Sequence, residues 1–240
     1  MKKGTVNGVS RELTRLVTRW LPGVVMGAVV LFSALTTARA QGNSSIVEQL
    51  AAASPAMLQS MLQKGQLIFI DNALPGKPQF VTAVALFDAP VQTVFSVITD
   101  YGHYVGHIPQ TTDVEVTNKN KNIWTVDYKI EFKFSILSEH AYYTLRQVLE
   151  PPTSVTWTRL SGNIDQVEGS WKLVPTDNGK KTIGFYRVYS DISSLSWVVR
   201  YMLKQQPVMN TAISTSSALI YVKAMEKWVD TVSKEQTAHK

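Results

Sequence analysis

Between Gln79 and Tyr189 apolar side chains recur at every second position in short runs, and each run stops at turn residues. A period of two marks strands with one buried face. The first run, Gln79 to Phe87, ends at Asp88-Ala89-Pro90, where a proline suited to a first helical turn predicts a helix with Val91, Val94, Phe95 and Ile98 on one apolar side. A shorter turn from Tyr101 to Ile108 stops at Pro109. Six more strands are predicted in succession: Asp113 to Lys119, Ile123 to Phe134, Glu139 to Leu149, Ser154 to Leu160, Glu168 to Val174 and Lys181 to Tyr189. Their links are short, the last containing Asn178-Gly179, so consecutive strands are antiparallel neighbours. The clearest is Ile123 to Phe134, where Trp124, Val126, Tyr128, Ile130 and Phe132 alternate with Thr125, Asp127, Lys129, Glu131 and Lys133.

The period changes on either side of these strands. Residues 41–78 read as a helical extension: Ile46, Val47, Leu50 and Ala51, then Met57, Leu58, Met61 and Leu62, recur at three- and four-residue spacing, and Pro55 divides the two sets. Leu67 to Ile70 is a further strand candidate within that extension. After Asp191 the chain turns helical from Leu195 to Gln205, breaks at Pro207 and continues from Val208 to about Val232, with Ile213, Ile220, Ala224 and Trp228 along one stripe. The long last helix is the sheet's only large companion in the sequence from 79 to 232, so it has to cover the apolar face. Residues 233–240 read as a polar tail.

Charge changes the picture at the N-terminus only. The formal net charge is +6, yet six of the 24 bases and one of the 18 acids fall in the first 40 residues, which leaves 18 bases against 17 acids. Nucleic-acid binding, which needs concentrated Lys and Arg, loses its support. The first 40 residues carry a basic lead, an apolar run from Leu21 to Leu35 and then Ala38-Arg39-Ala40, the order of a secretory signal peptide with cleavage expected after Ala40. A retained anchor is the alternative, but fifteen residues fall short of the roughly twenty needed to cross a bilayer. The expected location is therefore periplasmic or secreted. The absence of cysteine excludes disulfides, thiolate catalysis and cysteine metal sites.

Three sets of residues resemble the START-like, or SRPBCC, superfamily, and within it the polyketide cyclase/dehydrase and lipid-transport group that includes coenzyme Q-binding proteins. They are Ala89-Pro90-Val91-Gln92-Thr93-Val94-Phe95, then Asp100-Tyr101 with Tyr104 and Ile108-Pro109, then Glu168-Gly169-Ser170-Trp171. The resemblance implies an α+β helix-grip fold: a seven-stranded curved antiparallel sheet wrapped around the long C-terminal helix, with a cavity between them. The residues add a reason of their own for a void, because Thr211, Ala212, Ser214, Thr215, Ser216, Ser217 and Ala218 make the middle of that helix slender. The expected ligand contacts are Trp124, Val126, Tyr128, Ile130, Phe132, Trp157, Trp171, Phe185 and Arg187 on the sheet, with Ile213, Ser217 and Ile220 on the helix. The expected lip of the pocket comprises Asp100, Tyr101, His103, Tyr104, Ile108 and Pro109. The alternative is that the aromatic rings fill the space themselves.

Polar chemistry is sparse. Arg146, Arg159 and Arg187 share strand parity with apolar residues and are candidates to hold an acidic head group, or else to reach water or pair with an acid. Asp100, His103 and His107 have the spacing of metal ligands or a general-base pair, but Gly102, Gly106 and Pro109 spoil the helix that would align them. No nucleophile elbow or phosphate-binding glycine loop is present. The expectation is thus a carrier of a hydrophobic small molecule (lipid, quinone, sterol or hopanoid-like, or polyketide). No cofactor, metal or catalytic residue is expected, and transient membrane contact is compatible with the role. A cyclase or dehydratase using the same cavity and an envelope interaction module with a filled core are the alternatives.

Overall fold

Runs of Val, Ile, Thr and aromatic residues suit the pleated surface of a half-buried sheet, and here they supply every strand. A computed structural model of the chain describes residues 55–71, 78–134 and 137–238. The chain divides into two units, Met1–Glu48 and Gln49–Lys240, and all described residues belong to the second. The expected leader at 1–40, its cleavage point and the helix expected from Ile46 to Ala51 lie outside the described residues.

The elements in chain order are α1 (Pro55–Leu62), β1 (Leu67–Ile70), β2 (Val81–Phe87), α2 (Val91–Ile98), β3 (Thr111–Asn120), β4 (Ile123–Phe134), β5 (Leu137–Glu150), β6 (Ser154–Gly162), β7 (Val167–Thr176), β8 (Lys181–Ser190), α3 (Trp197–Gln205) and α4 (Val208–Ala238). The strands form one antiparallel sheet in the order β1-β2-β8-β7-β6-β5-β4-β3. The expected count of seven strands is corrected to eight, because Leu67–Ile70 pairs along β2 from Leu67↔Val84 to Ile70↔Val81. The sheet therefore begins inside the segment read as an extension. The expected end of the last helix also moves, from Val232 to Ala238. Ser233 to Ala238 contains no helix breaker, and Thr237 bonds back to the Ser233 carbonyl.

The stretch from Phe87 to Thr111 crosses the whole width of the sheet, since β2 and β3 lie near opposite edges. It carries α2, a 3-10 turn at Tyr101–His103 and a kinked turn at Tyr104–His107, where Gly106 takes φ 91°. Irregularities in the β3–β4 pairing, and between Thr144 and Leu145 in the β5–β6 pairing, bend the strands. α4 lies in the resulting concavity against β2, β8 and α2. Glycine matters where rings come close: a Cβ on Gly169 would sit 2.5 Å from the Trp157 ring, and one on Gly184 would sit 2.5 Å from the Phe87 ring.

The core is asymmetric along α4. Ala218, Val222, Met225, Trp228 and Val229 are buried at helical spacing, whereas no residue from Val208 to Ser217 is. The tightly packed interior ends where the run of small residues begins.

Candidate functional site: a tyrosine-lined cavity

At that boundary the sheet and α4 enclose a cavity of about 170 Å³. β4 contributes Tyr128, Ile130 and Phe132, and α4 contributes Ile213, Ser217 and Ile220. Trp157 and Trp171 form part of the wall from β6 and β7. From the lip come Tyr101, Tyr104, Ile108 and Pro109. Small residues on α4 do leave room, as their volume implies. Ile220 is half-exposed while lining the cavity, so the mouth opens beside it.

Four of the expected contacts and two of the expected lip residues lie elsewhere. Trp124 and Val126 share the inner face of β4, but Val126 is sealed in the core and Trp124 packs edge-on against Tyr101, 5.9 Å between ring centres. Phe185 and Arg187 are outside the cavity lining, which on β8 consists of Tyr186, Val188 and Ser190. Parity placed Phe185 and Arg187 together correctly but on the wrong side. Arg187 lies over the Phe80 ring and donates to Asp71 Oδ2 at 2.7 Å, and Phe185 is buried opposite Val84. Asp100 and His103 face outward and hold each other, Nδ1 lying 2.8 and 2.9 Å from the two carboxylate oxygens. Of the other arginine candidates, Arg146 is exposed and Arg159 donates to the Gly162 carbonyl at 2.7 Å beside the β5 irregularity. His107 stacks on Trp228 with 4.4 Å between ring centres.

Five lining residues not among the expected contacts carry the polar chemistry or close one side: Tyr143, Gln147, Tyr186, Ile192 and Tyr221. Tyr143 and Gln147 share the inner face of β5 with Ala141, Leu145 and Leu149, an alternation present in the sequence. Tyr221 follows Ile220 on the same side of α4. Tyr143, Tyr186 and Tyr221 form a phenol cluster with Tyr101, Tyr104 and Tyr128. Tyr101 donates to Gln147 Oε1, and Gln147 Nε2 donates to the Tyr128 hydroxyl at 2.9 Å. Tyr104 donates to the Ile98 carbonyl at 2.6 Å, so its contact with the Tyr221 hydroxyl at 3.2 Å uses the Tyr221 proton. The rings pack closely, with centroid separations of 4.6 Å for Tyr186–Tyr221 and 5.5 Å for Tyr128–Tyr143.

This arrangement leaves donors over. Gln147 occupies Tyr128 as an acceptor, so the Tyr128 proton has no protein partner among the described residues, and neither do the hydroxyls of Tyr143 and Tyr186. Burial makes the phenolate costly and pushes these hydroxyls upward in pKa; Tyr221 is pushed up to about 12 by burial first of all. Near neutral pH they are therefore fixed, neutral donors. Among the described residues the cavity lining contains no Asp, Glu, His, Lys or Arg. Among the described residues no cluster of three or more His, Asp or Glu is arranged to hold a metal ion.

Comparisons place this geometry among known folds. A protein from Thermus thermophilus superposes with a TM-score of 0.54 at 14% identity, over 64% of this chain and 99% of its own. A fragment of the STAR-related lipid transfer protein from Xanthomonas axonopodis gives 0.51 at 13%, over 70% and 94%. Human StAR-related lipid transfer protein 5 gives 0.52 at 11%, over 78% and 99%. Such identities speak for the helix-grip fold alone. No curated protein matches the sequence. The model of one family spans residues 87–208, from the end of β2 to the first turn of α4, and by that match the chain belongs to the polyketide cyclase / dehydrase and lipid transport family.

Proposed function

We propose that the protein binds and carries a hydrophobic small molecule that bears at least one oxygen acceptor, held between the sheet and the slender half of α4. The observation that carries this reading is the cavity itself: apolar walls and, among the described residues, no carboxylate, imidazole, amine or guanidinium and three phenol protons without a protein partner. Apolar pockets with a few placed donors are the usual form of small-molecule sites.

Size refines the cargo. An apolar cavity of about 150 Å³ accepts a benzene-sized guest. Burying the roughly 200 Å² of one aromatic ring is worth about 5 kcal/mol at ~25 cal/mol per Å². Association costs at least about 4 kcal/mol, so a guest that merely fills the cavity binds weakly. The cargo is therefore larger than the cavity, with a ring or chain end inside and the remainder leaving past Ile213 and Ile220. Lipids, quinones, sterol or hopanoid-like molecules and polyketides all meet this description. The N-terminal basic, apolar and Ala-x-Ala order supports an extracytoplasmic carrier, which would shield such cargo from water between membranes.

Native mass spectrometry after gentle purification tests this. The expected result is an adduct released by organic solvent; protein that carries no adduct and takes up no apolar fluorescent probe refutes it. A cyclase using the same cavity is the second reading, favoured by the buried phenols as proton donors. It ranks second because the described lining residues offer no group to take up a proton near neutral pH.

A further inference from the structure

From Ile192 to Met225 the chain has no acidic residue and three basic ones, Arg200, Lys204 and Lys223. Within this stretch α3 has two distinct faces. Val199 and Leu203 are buried with Ile192 in a small cluster of their own, against which Leu195, Met209 and Ile213 pack. Ile192 and Ile213 also line the cavity, so α3 backs the cavity wall near the start of α4. The other face presents Trp197, Arg200, Tyr201 and Lys204 at spacings of three and four, all exposed. Trp197 is 78% exposed, Tyr201 62%, and Val208 just beyond the helix 80%.

A tryptophan left almost wholly in water on a structured helix is a cost with no return inside the fold. Ser196 caps the helix by accepting from the Val199 amide and donates to Glu139, and Asp191 accepts from Ser193 just upstream, so α3 is held in place rather than frayed. Aromatic rings beside basic side chains are what a helix uses to lie in the interface of an anionic bilayer, rings at head-group depth and cations toward phosphate. No helix among the described residues is long and apolar enough to cross a membrane, so contact is by lying on the surface.

We infer that the outer face of α3 docks the protein on an anionic lipid surface through Trp197, Tyr201, Arg200 and Lys204, bringing the cavity wall formed by Ile192 and Ile213 to the membrane where cargo is exchanged. The purpose assigned to docking rests on the carrier reading; the docking surface itself does not.

The test is flotation of the full chain, as purified from its own cells, with vesicles of phosphatidylcholine alone or with 30% phosphatidylglycerol. All variants share one N-terminus, so any contribution of residues 1–54 cancels. Arg200→Gln with Lys204→Gln is expected to weaken binding to the anionic vesicles about thirtyfold, since each cation near such a surface is worth roughly fivefold. Trp197→Ser with Tyr201→Ser weakens it on both kinds of vesicle. Lys121→Gln with Lys180→Gln, exposed bases in the β3–β4 and β7–β8 turns, removes the same charge and is expected to change little. Equal loss in this control pair means diffuse attraction and overturns the inference. So does absence of wild-type binding at low salt, whatever protein α3 then proves to contact. Vesicle binding through α3 by a protein that holds no cargo would refute the carrier reading and leave the docking surface standing.

Discussion

Ser217→Leu distinguishes a usable cavity from a filled core by the sign of one measurement. Ser217 lines the cavity from the slender part of α4. An empty space of about 170 Å³ costs at most ~4 kcal/mol at about 24 cal/mol per Å³. Leucine adds roughly three methylene equivalents, worth ~2 kcal/mol when buried, and leucine also suits a helix better than serine. Delipidated Ser217→Leu protein is therefore expected to be more stable than delipidated wild type by about 1–2 kcal/mol, or several degrees in Tm for a domain of this size. The comparison needs delipidated samples because bound cargo stabilises the wild type by mass action. The same substitution takes the volume the cargo needs, so the adduct in native mass spectra is lost. Calorimetry on delipidated protein and native mass spectrometry on protein that has not been delipidated read the two effects. A core already full responds the other way, since overpacking costs about 1–3 kcal/mol. A lower Tm with cargo binding intact would refute the cavity.

Gln147→Ala is expected to lower stability by about 2–4 kcal/mol, because it leaves the buried Tyr101 hydroxyl without its acceptor and Tyr128 without its donor; urea unfolding at unchanged m-value reads this, and a loss below about 0.5 kcal/mol on that scale contradicts the network. Tyr143→Phe with Tyr186→Phe removes hydroxyls that no protein group among the described residues uses, so the fold should keep its stability within about 0.5 kcal/mol. The same pair should bind oxygen-bearing cargo about tenfold more weakly, and a probe lacking oxygen equally well. In alkali, Tyr221 ionises near 12 in the folded protein and near 10 when unfolded. Below pH 10 both states hold the proton and stability does not depend on this group. Between 10 and 12 only the unfolded state releases it, so stability falls as pH rises. Phenolate absorbance that rises for every tyrosine near pH 10 with the fold intact would contradict the burial of the cluster.

The sheet was legible because a two-residue period survives wherever one face is dry, as in Trp124 to Phe132. What that period leaves open is which face is inside when both carry rings. β8 shows the difficulty: Phe185 and Tyr189 alternate with Tyr186 and Val188. Buried Leu58 and Leu62 on α1, which lies against β2, together with Phe80, give the outer side apolar partners of its own, and Asp71 gives Arg187 an acid there. Arg187 then looked like an anchor in a pocket when it is an ion pair on the back of the sheet. β5 poses a related problem, since Tyr142 and Tyr143 adjoin and only one faces the cavity. Tyr142 is 57% exposed and pairs with Lys129, while Tyr143 pairs with Tyr128. The lip followed a simpler rule. Tyr101, Tyr104 and Ile108 recur at three and four residues and are buried; Asp100 and His103, each one position before a buried tyrosine, satisfy each other in water.

The misplaced charged residues and the missed tyrosines share one physical cause. Arginine and histidine attract attention in a sequence because they are charged or easily charged, yet an apolar cavity of this size cannot hold a charge without a partner to offset its desolvation. Tyrosine supplies direction at lower cost, since its ring contributes to the wall and its hydroxyl remains a neutral donor. Tyr101 and Tyr104 spend their protons on Gln147 and the Ile98 carbonyl, which fixes the wall in the absence of cargo. The protons of Tyr128, Tyr143 and Tyr186 then face a space already shaped. Selectivity in such a site comes from where an oxygen sits on an otherwise apolar guest, and it does not require the protein to bury an ion.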